Sequence, residues 1–89
     1  MRLMVKVIKF GTEPDPAKRI RLRQGSAIRT VRKMRGLTPQ ELAELVAVTP
    51  SAVSQWELGT YTPRQSVQVK IAKALDVPWS MLFGLDEAA

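Results

Sequence analysis

The side chains that most often carry chemistry are missing from this 89-residue chain: it has no His and no Cys. Disulfides and a zinc site of the usual kind are excluded, and the commonest general base at neutral pH is absent. Asp, Glu and Lys remain, but no pair of carboxylates suggests acid–base work, so neither an enzyme nor a cofactor or metal is expected. What the residues offer is charge and hydrogen bonding. Fourteen Lys and Arg stand against eight Asp and Glu, a formal net charge of +6. Eleven of those cations fall in residues 1–36 beside only Glu13 and Asp15, whereas residues 37–89 hold three against six acids. Such asymmetry points to a polyanionic partner. Within the less basic part, residues 49–56 read TPSAVSQW, a stretch with hydroxyls and an amide but no charge.

These groups need a scaffold, and the length allows one small domain with an appended arm. The apolar runs are too short and too broken by charge to span a membrane. The opening MRLMVKVIKF has no uninterrupted apolar segment or small-residue cleavage site, so no signal peptide is expected and a cytoplasmic location is the default. Residues 3–10 are rich in Val, Ile and Phe and read as a strand, followed by the turn-forming GTEPDP. In AKRIRLRQ, Ile20 and Leu22 alternate with Arg19, Arg21 and Arg23, which would put three guanidiniums on one face of a second strand. Residues 1–25 are therefore expected to form a basic β-hairpin or extended arm.

From Ser26 the period becomes helical. Ser26 is the expected cap of a first helix with Ile28 and Val31 inward, closed by Gly36. Thr38, Pro39 and Glu41 form a capping box for a second, whose buried face is Leu42, Leu45 and Val46, with Ala43 small enough for close contact. Thr49 and Pro50 open a third, with Val53 and Trp56 inward and Gly59 ending it. Residues 64–75 form a fourth that buries Val67, Ile71, Ala72 and Leu75. A short fifth begins at Pro78; its Trp79, Leu82 and Phe83 close the core, with Met81 or Leu85 available at a dimer surface.

Two short helices joined by about three residues outline a helix-turn-helix. GLTPQELAELVAVTPSAVSQWELGTYTP, followed by IAKALDV, resembles the phage-repressor and Cro-like (XRE-type) family of helix-turn-helix regulators. The matching features are Arg32, Leu42–Ala43, Val48, Val53, Glu57 with Gly59, Pro63, and Ala72 with Leu75. There are two departures: Ala47 stands where the family has its turn glycine, and Gln68 where an apolar residue is common. The resemblance implies a mainly α, five-helix lambda-repressor-like domain over residues 26–84, with a short tail at 85–89. It implies no more about the N-terminal 25 residues.

The resemblance also implies a docking geometry on double-stranded DNA. The helix over residues 50–57 would lie in the major groove, with Pro50, Ser51, Ala52, Ser54 and Gln55 as candidate base readers. Gln pairs in two-pronged fashion with adenine, Ser donates or accepts, and Ala or Pro presses on a thymine methyl. Phosphates would be held by Thr38 and Gln40 at the start of the second helix, by Thr60, Tyr61, Thr62 and Arg64 after the third, and by Arg35. Arg32 and Glu57 are expected as a structural ion pair. The basic arm, through Arg19, Arg21 and Arg23, would lie along phosphates or reach a minor groove. The function implied is a transcriptional regulator, a repressor acting as a homodimer. The alternative is an antitoxin- or adaptor-type interaction module on the same fold, binding a protein partner through residues 1–24.

Overall fold

Asp15 is the first residue that the computed structural model describes (residues 15–84), and it starts a helix rather than ending a turn. Among the described residues there are five helices: α1 (Pro16–Met34), α2 (Pro39–Val46), α3 (Pro50–Glu57), α4 (Gln65–Leu75) and α5 (Trp79–Phe83). Residues 16–25, expected as a strand or extended arm, are thus the first half of a 19-residue helix, and the division expected between 25 and 26 falls inside it. The proposed strand at 3–10 lies outside the described residues.

The physical reason is the cap. Asp15 accepts the Lys18 backbone N–H at 2.7 Å, and Pro16 takes the first helical position. Once helical, Gln24, Ile28, Val31 and Arg32 recur at three- and four-residue spacing on the buried side. Ser26 is exposed in mid-helix and caps nothing. The period-two alternation of Arg and apolar residues does not persist as a face, because helical residues two apart point in different directions.

The remaining helix starts follow the expected chemistry. Thr38 and Glu41 satisfy each other's backbone N–H at 2.8 and 3.1 Å, and the Thr49 hydroxyl accepts from Ala52 at 3.2 Å. The helix ends share one device. At each of α1 to α4 a residue of positive φ (Gly36, Ala47, Gly59, Asp76) lets the next amide return to a carbonyl five residues back. Ala47, at φ 60°, holds this left-handed conformation with a Cβ, where glycine would meet no steric penalty.

The core is Ile28 and Val31 of α1, Leu42, Ala43 and Val46 of α2, Val53 and Trp56 of α3, Ile71, Ala72 and Leu75 of α4, and Leu82 and Phe83 of α5. Of the expected core residues, Val67 is half-buried against this cluster, and two others lie outside it. Leu45 is 59 % exposed. Leu42, Ala43 and Val46 cover an arc of about 100° on the helix, and Leu45 falls about 60° beyond its edge. Trp79 is 39 % exposed and works through its polar edge instead. Its Nε1–H donates to Gln68 Oε1 at 2.8 Å, while Gln68 Nε2 donates to the Pro63 carbonyl at 2.9 Å. Gln68, the polar departure in α4, thereby ties the loop before α4 to α5.

Candidate nucleic-acid interface

α2 and α3 are joined by Ala47, Val48 and Thr49. The left-handed Ala47 reverses the chain, and Val48 returns its N–H to Ala43 at 2.9 Å. Val48 packs against the core, so the turn is held by hydrogen bonding and burial together. α3 then sets Val53 and Trp56 inward and leaves the opposite side to solvent. Pro50, Ser51 and Ser54 are exposed, and Ala52 and Gln55 are half-buried. Ser51 and Gln55, four residues apart, share one ridge.

That ridge borders an open groove of about 460 Å³. Ser51, Ala52 and Gln55 line one side and Tyr61, Thr62 and Arg64 the other, with Trp56 and Pro63 between them. Groups expected to read bases and groups expected to hold phosphate therefore converge, although they lie up to thirteen positions apart in sequence. Among those outside the groove, Pro50 and Ser54 lie on the outer face of α3, and Thr60 is exposed in the following loop. Thr38 and Gln40 are exposed at the N-terminus of α2. Each helix start offers backbone N–H groups and the positive end of the helix dipole.

Arg35 is different. Its Nε donates to the Leu75 carbonyl at 2.7 Å and Nη2 to the Asp76 carbonyl at 3.1 Å. Its guanidinium caps the C-terminal end of α4, the end opposite Arg64. The basic trio of α1 is also divided. Arg19 and Arg23 are exposed, four residues apart on the outer side of α1, while Arg21 turns back and donates from Nε to the Gly59 carbonyl at 2.9 Å.

Arg32 and Glu57 meet as expected. Arg32 Nε and Nη2 donate to the two carboxylate oxygens at 2.7 and 3.0 Å, and Nη1 donates to the Leu37 carbonyl at 2.7 Å. The side chains are 8 % and 10 % exposed, so both charges are largely withdrawn from water. The hydrogen bond to Glu57 raises the Arg32 pKa above its ordinary value, outweighing the opposing effect of burial. Every N–H direction of that guanidinium that the fold uses is structural: it ties α1 to the end of α3 and to the loop before α2.

Sequence reasoning missed the contacts of Arg21, Gln24 and Gly25 with the end of α3. Gln24 is buried and accepts from the Thr62 hydroxyl at 3.3 Å. Gly25 lies so close to α3 that a Cβ there would sit 2.3 Å from the Trp56 carbonyl oxygen. The available signal was Asp15–Pro16, which repeats the cap-and-proline pairing of Thr38–Pro39 and Thr49–Pro50.

Comparison with known families matches residues 28–82 to a model described as helix-turn-helix. No curated protein matches the chain. Among solved structures, the clp gene regulator ClgR from Corynebacterium glutamicum is 30% identical, with a TM-score of 0.69 over 85% of this chain and 91% of that one. The restriction-modification controller protein C.AhdI from Aeromonas hydrophila is 28% identical, with a TM-score of 0.72 over 76% of this chain and 99% of that one. An HTH_3 family transcriptional regulator from Vibrio cholerae is 26% identical with a TM-score of 0.71; the match covers 81% of this chain and 40% of that longer one.

Proposed function

Because the chain belongs to the helix-turn-helix family, of the phage-repressor and Cro-like type, we propose that it is a non-enzymatic, sequence-specific DNA-binding transcriptional regulator, acting as a repressor. The observation that carries this reading is the groove in which Ser51 and Gln55 face Tyr61, Thr62 and Arg64. α3 enters the major groove with its N-terminal residues against base edges, while α2 crosses the backbone. The uncharged face of α3 can sit among bases, and the loop after it holds the adjoining phosphates. Thr38 and Gln40 hold a phosphate at the start of α2, and Arg19 and Arg23 extend the attraction along α1. Two copies on a near-palindromic site would place their α3 helices roughly 34–36 Å apart.

Selection from a random DNA pool at a stated salt concentration tests this. The expected product is a short half-site repeated with two-fold symmetry. Gln55→Ala should lose discrimination at one base pair by about 1–3 kcal/mol. A chain that binds all sequences alike, with Gln55→Ala indistinguishable from wild type, would defeat the reading. Recovery instead of one stoichiometric protein bound through residues 1–24 would favour an interaction module.

A further inference from the structure

The N-terminal part of α1, residues 16–27, precedes the segment that the family model matches. It nevertheless grips the loop that follows α3 at several points. Arg21 Nε donates to the Gly59 carbonyl at 2.9 Å, and buried Gln24 accepts from the Thr62 hydroxyl at 3.3 Å. Leu22 lies across Gly59, which is buried at φ +78°; a Cβ there would come within 2.7 Å of Leu22 Cδ2. Gly25 seats the backbone of α1 against the last carbonyls of α3.

We infer that Arg21 and Gln24 are positioning residues for DNA binding: α1 holds residues 59–62 in the shape that meets the DNA backbone, without touching DNA there itself. This rests on the proposed reading of that loop as a phosphate contact. Thr60 and Tyr61 are exposed, and among the described residues neither side chain hydrogen-bonds to the protein. The loop backbone is fixed instead at its two sides, by Arg21 on Gly59 and by Gln68 on Pro63. A loop ordered in advance loses less conformational freedom on binding, and that saving appears as affinity. The Arg21 cation also sits at the negative end of the α3 dipole, which favours this arrangement of the helix end. Its guanidinium thus faces the protein backbone, whereas Arg64 faces the groove.

The test uses the full chain with Arg21→Met and, separately, Gln24→Leu, which keep an apolar stem and remove the polar end. Amide hydrogen exchange of the free protein should quicken at Gly59–Thr62 and stay unchanged in the core of α2. Binding to the selected site should weaken roughly three- to tenfold, the size of one or two lost hydrogen bonds. The slope of log affinity against log salt should not change. A slope shallower by about 0.9 for Arg21→Met would make Arg21 a phosphate contact and overturn the proposal. Unchanged affinity in both variants would overturn it as well. Should the wild-type chain bind no DNA, the regulator reading fails by itself; exchange at 59–62 still judges the brace, and unaltered rates there refute it.

Discussion

Arg32 and Glu57 are 25 residues apart in the chain and form a two-pronged ion pair, Nε to Oε2 at 2.7 Å and Nη2 to Oε1 at 3.0 Å, inside a domain with a small core. It joins the last turn of α1 to the last residue of α3, so it ties the ends of these two helices together. Removing one partner strands the other charge. Glu57→Ala should lower unfolding free energy by about 3 kcal/mol in urea titration, and Arg32→Met with Glu57→Leu together should recover more than half of that. A double variant as unstable as the single one would show that the pair adds more than it costs to bury. Since the Arg32 pKa is raised on folding, its contribution is complete below the ordinary arginine pKa and is lost only as pH climbs through the higher folded value. Stability between pH 5 and 9 should therefore owe no pH dependence to Arg32.

Ala47 holds a left-handed conformation at the turn of the helix-turn-helix. Ala47→Gly removes the Cβ strain but makes the unfolded chain more flexible, and the first effect is the larger. Thermal or urea unfolding should show a gain of about 0.5–1 kcal/mol. A loss would mean that the Ala methyl contributes packing that outweighs the strain.

Gly25→Ala should be among the most damaging single-methyl additions in the protein. The new carbon would press on the carbonyl oxygens of Trp56 and Glu57, at 2.3 and 2.8 Å, and backbone cannot swing aside as a side chain does. A cost of about 3 kcal/mol is expected, against almost none for the adjacent Ser26→Ala, which alters an exposed mid-helix residue. Similar unfolding curves for the two would contradict the packing of α1 on α3.

Arg35 and Arg64 offer a paired comparison on DNA. Arg35 is engaged by two carbonyls at the C-terminal end of α4, whereas Arg64 lines the groove. Arg64→Ala should reduce the salt slope by about 0.9 for every sequence tested. Arg35→Ala should leave that slope in place and cost about 1 kcal/mol of stability through the lost α4 cap. Equal slopes for the two variants would return Arg35 to the phosphate contacts.

Much of this was legible from residue types at short range. Thr38–Pro39–Glu41, Thr49–Pro50, Gly36 and Gly59 specify where helices start and stop, because caps and left-handed turns depend on a few neighbouring atoms. Val53 and Trp56, or Ile71, Ala72 and Leu75, mark buried faces because helical spacing alone aligns them. Short-range rules were weakest where two patterns competed: Arg19 to Arg23 alternate like a strand, yet Asp15–Pro16 caps a helix through them. Only the packed structure separated the three arginines, since the direction of Arg21 depends on Gly59, 38 residues away. The same is true of Arg35, whose partners at Leu75 and Asp76 become neighbours only when the fold brings the C-terminal end of α4 beside that of α1. TPSAVSQW already lacked charge in the sequence; its place opposite Tyr61, Thr62 and Arg64 came from folding the α3–α4 loop back beside it. Capping and periodicity are local energies, and a sequence displays them. The partner of a long cation is decided by which helix ends the core brings within its reach.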